Sequence, residues 1–253
     1  MPYQEYPPSP ALRAHVACFW TSHAGGLARP HTQRVLPDNC VDILWQDSGR
    51  PGFAVGMMTS SIDVVTAGAV RTVAVRFKPG AAGRFLALPL HTLSDTRADI
   101  DLLWGRGEAE RLADGLWTHD LSDRARVDLL EHRLLECWRR SVDHWSGSAL
   151  VQAALARIDG SGGDVRVASL ADGLGVTRQH LAAQFRSHVG LTPKMVARIC
   201  RFRRAVDALK SPSSRALDWA QLALACGYFD QSHLIHDFQE FAGAAPERFL
   251  SAR

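Results

Sequence analysis

The stretch QLALACGYFDQSHLIHDFQEFAGAAP, Gln221 to Pro246, repeats SLADGLGVTRQHLAAQFRSHVGLTP, Ser169 to Pro193, and this self-similarity decides the fold of the C-terminal part of the chain. Leu170-Ala171 matches Leu222-Ala223, Gly175-Val176 matches Gly227-Tyr228, and His180-Leu181 matches His233-Leu234. Phe185 then matches Phe238, and Gly190-x-x-Pro193 matches Gly243-x-x-Pro246. The second copy is one residue longer in its turn.

Each copy has the chemistry of a helix-turn-helix. Ala171 and Ala223 let the first helix approach its partner, Gly175 and Gly227 permit a left-handed turn, and the next apolar residue buries the corner. Thr177 and Asp230 are the natural N-caps of the second helices. Leu181 and Phe185 in one, Leu234 and Phe238 in the other, give the inward face at i and i+4. The outward faces are the candidate DNA contacts: Arg178, Gln179, Ala182, Ala183 and Arg186, then Gln231, Ser232, Ile235, His236 and Gln239. Between the copies, Pro193 to Lys210 reads as a long helix carrying Arg198, Arg201, Arg203, Arg204 and Lys210; Arg201 is its candidate phosphate contact. The units run over about residues 168–189 and 220–242, within a helical domain spanning 149–253.

The spacing and residue types resemble the AraC/XylS-type DNA-binding domain over roughly Leu150 to Arg253. GYFDQSHLIHDFQEFAGAAPERF carries the most recognisable stretch, in which G-[FY], S-x-[FL], a terminal F and G-x-x-P recur. The resemblance implies two recognition helices in successive major grooves on one face of double-stranded DNA. Gln179 and Gln231 would read adenine, and Arg178 or Arg186 guanine, while Ala182 and Ala183 offer only van der Waals contact to a thymine methyl. His236 stands where the family commonly has Arg, which implies a weaker or pH-dependent contact.

Upstream, the period changes. VAVRFK (Val73 to Lys78) alternates, and CVDILW (Cys40 to Trp45), GFAVGMM (Gly52 to Met58) and SIDVVTAG (Ser61 to Gly68) are short Val- and Ile-rich runs bounded by turn residues. They predict a mainly β N-terminal domain over 1–122, cupin-like or a small barrel, so that the whole chain is α+β. AAGRFLALPL starts a helical stretch that Pro89 interrupts, and DIDLLWGRGEAERLADGLW reads as one helix or two short ones. Asp123 to Trp145 is amphipathic, with Val127, Leu130, Leu134, Leu135, Trp138 and Val142 at helical spacing, and is read as a linking helix over 123–148. SGS at 146–148 and DGSGGD at 159–164 mark breaks. His31 to Trp45 followed by Val73 to Asp95 resembles a sensor-type N-terminal domain of a subgroup of these regulators, which implies a small-molecule effector or dimerisation role.

Arg34, Trp45 and Arg76, with Trp20, Phe53 and Phe77, are candidates for lining an effector pocket, and core packing accounts for the aromatics equally well. His31, Asp38, Cys40 and Asp42 carry ligand chemistry, but Pro37-Asp38-Asn39 also reads as a turn with Asp38 capping it; no metal and no cofactor is expected. No PCHR-like or CxxC motif makes Cys40 a nucleophile or alkyl acceptor.

Composition agrees with a globular regulator. The 253 residues are 46% hydrophobic and 22% charged, enough for a core and far from disorder. The net charge of +3 is uneven: residues 150–253 hold 13 Lys or Arg against 9 Asp or Glu, the rest 16 against 17, so the basic excess lies with the repeat. Five widely spaced cysteines, Cys18, Cys40, Cys137, Cys200 and Cys226, fit reduced thiols. With no apolar run of membrane length and no export signal in MPYQEYPPSP, a cytoplasmic protein without membrane partners is expected.

The expected function is sequence-specific DNA-binding transcription regulation under a small-molecule effector, with no enzymatic activity. RNA polymerase and a second copy of the chain are further candidate partners. The competing readings are a constitutive DNA binder with an N-terminal dimerisation scaffold, and a cupin-type metalloenzyme, which the lack of HxH pairing among His15, His23, His31 and His91 disfavours.

Overall fold

Val73, Val75 and Phe77 share the core face of a strand in the middle of a sheet, while Ala74 on its other face is buried as well and Arg76 there is partly exposed. The computed structural model describes residues 3–25, 30–49, 51–140, 148–210 and 218–251. The strands are β1 (Tyr3–Tyr6), β2 (Val16–Ala24), β3 (His31–Val35), β4 (Val41–Gln46), β5 (Phe53–Val55), β6 (Ile62–Thr66), β7 (Val70–Phe77) and β8 (Arg97–Asp99). Six of them form one antiparallel sheet in the order β1-β2-β7-β4-β5-β8, while β3 and β6 pair as a separate ribbon. Register is fixed by period two: Phe19 and Ile43 both face Val75, and Val41 faces Phe77.

The small barrel is not formed. The sheet stays open, since β1 pairs only with β2 and β8 only with β5, and both edge strands are short. The apolar face is covered by helices instead. These are α1 (Gly83–Leu86), α2 (Ile100–Trp104), α3 (Arg106–Trp117) and α4 (Asp123–Arg140), with a 3-10 turn at Leu90–Leu93 after Pro89. Gly105, at φ 87°, separates α2 from α3. α4 lies on β7 and β2 and buries Val127, Leu130 and Leu134 there. Its N-terminus is pinned by Asp123, whose Oδ2 accepts from Thr21 Oγ1 at 3.1 Å and meets His23 Nε2 at 2.7 Å. Val142, Trp145 and Ser146-Gly147, part of the expected helix and break, lie outside the described residues.

Beyond α4 every described element is helical: α5 (Ser148–Gly160), α6 (Val167–Asp172), α7 (Arg178–His188), α8 (Pro193–Leu209), α9 (Trp219–Ala225), α10 (Gln231–Ala242) and α11 (Pro246–Ser251). The apolar core is continuous from the sheet into these helices. Phe202 of α8 anchors the helical part, with its ring 5.0 Å from Phe238 and 5.3 Å from Phe241.

Candidate nucleic-acid interface

The repeat is a repeat of hydrogen bonds as well as of residues. In the first unit, α6, turn and α7, the amide of Gly175 donates to Asp172 O at 3.0 Å and that of Val176 to Ala171 O at 3.1 Å. In the second, α9, turn and α10, Gly227 donates to Leu224 O at 3.1 Å and Tyr228 to Ala223 O at 2.9 Å. Gly175 at φ 68° and Gly227 at φ 83° occupy the left-handed region that this corner requires. Ala171 and Ala223 are buried, as are Leu181, Phe185, Leu234 and Phe238.

The two caps stand where the residue types place them. Thr177 Oγ1 accepts from the amide of His180 at 3.1 Å, and Asp230 Oδ1 from that of His233 at 2.8 Å. Replacing either by Ala is expected to cost about 1 kcal/mol in a urea titration. An unchanged midpoint would mean that the caps contribute nothing.

The caps leave the first turn of each second helix open to solvent. Arg178, Gln179, Ala183 and Arg186 are exposed on α7, with Ala182 half-buried; Gln231, Ser232, His236 and Gln239 are exposed on α10, with Ile235 half-buried. Each set shares one helical face, away from the core residues. Donors and acceptors on such a face can meet base edges in a major groove.

α8 joins the units, and much of its charge is used inside the molecule. The Arg198 guanidinium spans Asp237 and Glu240 of α10: Nε donates to Asp237 Oδ1 at 3.1 Å, Nη2 to the same oxygen at 2.6 Å, and Nη1 to Glu240 Oε1 at 3.0 Å. Asp237 is 0% exposed, and Arg198 also lies over the Phe241 ring at 4.9 Å. The hydrogen bonds from Arg198 hold the Glu240 carboxyl below its ordinary value. Arg201 is half-buried, stacks on Tyr228 at 5.4 Å and donates to Gly163 O at 3.4 Å. From the sequence alone, Arg198 is one of the cations of the connecting helix, like Arg201, Arg203 and Arg204. The missed signal was Asp237, a carboxylate next to the buried Phe238 on α10 that needs a cation.

The sheet half touches the corner that follows each exposed helix. After α7, Ser94 Oγ donates to Gly190 O at 2.8 Å, and the Cα of Gly190 packs so closely on Met57 and Leu90 that no side chain fits. After α10, Arg34 Nη1 donates to Ala242 O at 3.3 Å. Asn39 Nδ2 reaches Val196 O of α8 at 3.2 Å.

The candidate effector residues are not brought together. Trp45 is in the core at 1% exposure, whereas Arg76 lies on the opposite face of the sheet, where its Nε and Nη2 donate to the two oxygens of Asp42 at 3.0 and 2.9 Å. Arg34 is on the ribbon, paired with Asp63 at 2.9 Å. Asp38 serves the turn: its Oδ1 accepts from Cys40 N at 3.1 Å, and Asn39 adopts φ 63°. Burial pushes the Cys18 thiol up to about 11 and raises that of Cys40 as well, which keeps both protonated. A group of three potential metal ligands, His236, Asp237 and Glu240, occurs among the described residues on α10, but Arg198 already occupies both carboxylates. A cleft of about 460 Å³ opens beside α3, lined among others by Asp47, Asp101, Glu110, Asp114, Arg106 and Trp117.

Residues 170–252 match the helix-turn-helix domain family, and residues 4–99 match a domain of unknown function, DUF6597. No curated protein matches the chain. Among solved structures, ToxT from Vibrio cholerae O395 is similar at 13% identity and a TM-score of 0.46, over 92% of this chain and 97% of that one. A xylose-binding transcription activator, XylR, is similar at 22% identity and a TM-score of 0.36, over 49% of this chain and 37% of that one.

Proposed function

We propose that the protein is a DNA-binding transcription regulator of the AraC type and that it aims two recognition helices at once, α7 and α10, into successive major grooves of a duplex. The observation that supports this most is the equivalence of the two units: the same corner hydrogen bonds, the same caps and the same exposed face, joined through α8. In this reading residues 149–253 are the DNA-binding unit, 1–122 the sensor or dimerisation unit, and 123–148 connects them. Arg178, Gln179, Ala182, Ala183 and Arg186 read one half-site, and Gln231, Ser232, Ile235, His236 and Gln239 the other.

The direct test is substitution on the exposed face. Gln231→Ala should weaken binding by about 1 to 3 kcal/mol and relax preference at one base pair. Unchanged affinity and preference would remove α10 from the groove.

Regulation enters through the contacts between the halves. The sheet half holds Gly190 and Ala242, the corners at the ends of α7 and α10, so a rearrangement there re-aims both helices. A small-molecule effector achieves this only by binding one arrangement more tightly than the other. The cleft beside α3 is of a size that takes such a molecule, and its carboxylates disfavour an anion. RNA polymerase and a second copy of the chain complete the proposed partners. In this reading the chain needs no enzymatic activity, and its residues 170–252 match a helix-turn-helix domain. Among the described residues no helix is long and apolar enough to cross a membrane.

A further inference from the structure

The extra residue of the second copy is Phe229. In the first unit Val176 leads directly to the cap Thr177; in the second Tyr228 is followed by Phe229 before the cap Asp230. The corner itself does not need it, because the amides of Val176 and Tyr228 make equivalent bonds without its side chain. Nor does the core, since Phe229 is 86% exposed, the most exposed large apolar side chain among the described residues. A phenyl ring held in water beside a rigid turn has no folding role that explains it. Leu224 of α9, also exposed, stands where the first unit has Asp172, so the apolar character belongs to the second unit alone.

Its position indicates what covers it. Phe229 immediately precedes Asp230, Gln231 and Ser232, the exposed first turn of α10. In helix-turn-helix complexes the N-terminal residues of the second helix meet base edges. The ring is therefore continuous with the DNA-facing surface. The one apolar feature that a B-DNA major groove offers there is the C5-methyl group of thymine.

We propose that Phe229 is a specificity-determining DNA contact that packs on a thymine methyl in the half-site read by α10. This rests on the reading of α10 as a recognition helix. It gives the second unit an apolar readout beside the hydrogen bonding of Gln231 and Gln239, and makes the half-sites different even though the units are copies.

The test uses the full-length chain and the duplex it enriches from a random pool. Each thymine is replaced in turn by uracil, which removes the methyl and keeps the hydrogen-bonding edge. For the wild type, uracil at one or two positions in the α10 block should weaken binding about fourfold, the value of one buried methyl at about 0.8 kcal/mol. Phe229→Ala should bind the thymine duplex more weakly by about the same factor and be indifferent to the replacement, while Phe229→Leu keeps part of the sensitivity. Because the side chain is exposed, these variants should melt with the wild type. Three results would overturn the proposal: a wild type insensitive to methyl removal throughout the α10 block, a Phe229→Ala variant that keeps the sensitivity, or one that binds DNA normally and fails only in transcription with RNA polymerase. Gln231→Ala separates this from failure of the parent reading. If it too behaves as wild type, or the pool yields no enriched duplex, α10 is not the reading helix.

Discussion

Replacing Arg198 by alanine is expected to destabilise the protein by about 3–5 kcal/mol, because it leaves the fully buried Asp237 carboxylate without its partner. A loss of that size is a large share of a domain's stability. Arg198→Lys should recover little, since an ammonium cannot span Asp237 and Glu240 as the guanidinium fork does. Removing both partners, Arg198→Met with Asp237→Leu, should restore most of the stability, as an apolar pair of similar volume leaves no buried charge. The quantity to measure is the unfolding free energy of the four proteins by urea titration. A loss below about 1 kcal/mol in Arg198→Ala would mean that the ion pair behaves as a surface bridge and does not lock α10 to α8.

A comparable effect is expected at Gly190, and its repeat partner supplies the control. Gly190 at φ 91° and Gly243 at φ 71° occupy equivalent corners, so alanine is strained at both by about 1–2 kcal/mol. Their surroundings differ. A Cβ on Gly190 would sit 1.8 Å from Met57 Cε and 2.9 Å from Leu90 O, whereas on Gly243 the nearest atom is Ser61 Oγ at 3.9 Å. The first requires the buried Met57 side chain to move and the Leu90 backbone to give way, which adds an overpacking cost of about 1–3 kcal/mol. Gly190→Ala should therefore lose about 2–5 kcal/mol and Gly243→Ala about 1–2. Equal losses at the two sites would show that the halves do not bear on each other at Gly190. If they do bear there, Gly190→Ala should also alter DNA affinity in the full chain.

The helical part was legible because its signals are local. A small residue, a glycine, a cap and an i, i+4 apolar pair fall within about fifteen residues of chain, and their recurrence at Gln221 removed the ambiguity of a single motif. The sheet was legible where strands alternate, as in Val41 to Gln46. β2 was not, because a bulge shifts the register between Val16 and Cys18 and leaves Cys18 and Phe19 both buried, which destroys the alternation. Closure of the sheet is a non-local property that strand patterns do not contain. The placing of Trp45 and Arg76 on opposite faces was less legible, because it depends on strand pairing: Trp45 pairs with Val73 and Asp42 with Arg76, positions of opposite parity on β4 and β7. The surface charge of α8 was overestimated for a different reason. Whether an arginine faces water or a buried carboxylate depends on which helix packs across it.

The central claim is that α7 and α10 read one duplex together. The measurement that addresses it most directly is selection of the full-length protein against random duplexes at controlled salt, followed by sequencing of the bound pool. Two enriched blocks whose centres lie about one helical turn apart, roughly 10 base pairs, are the expected result. A single block, or no enrichment at any salt, would contradict it.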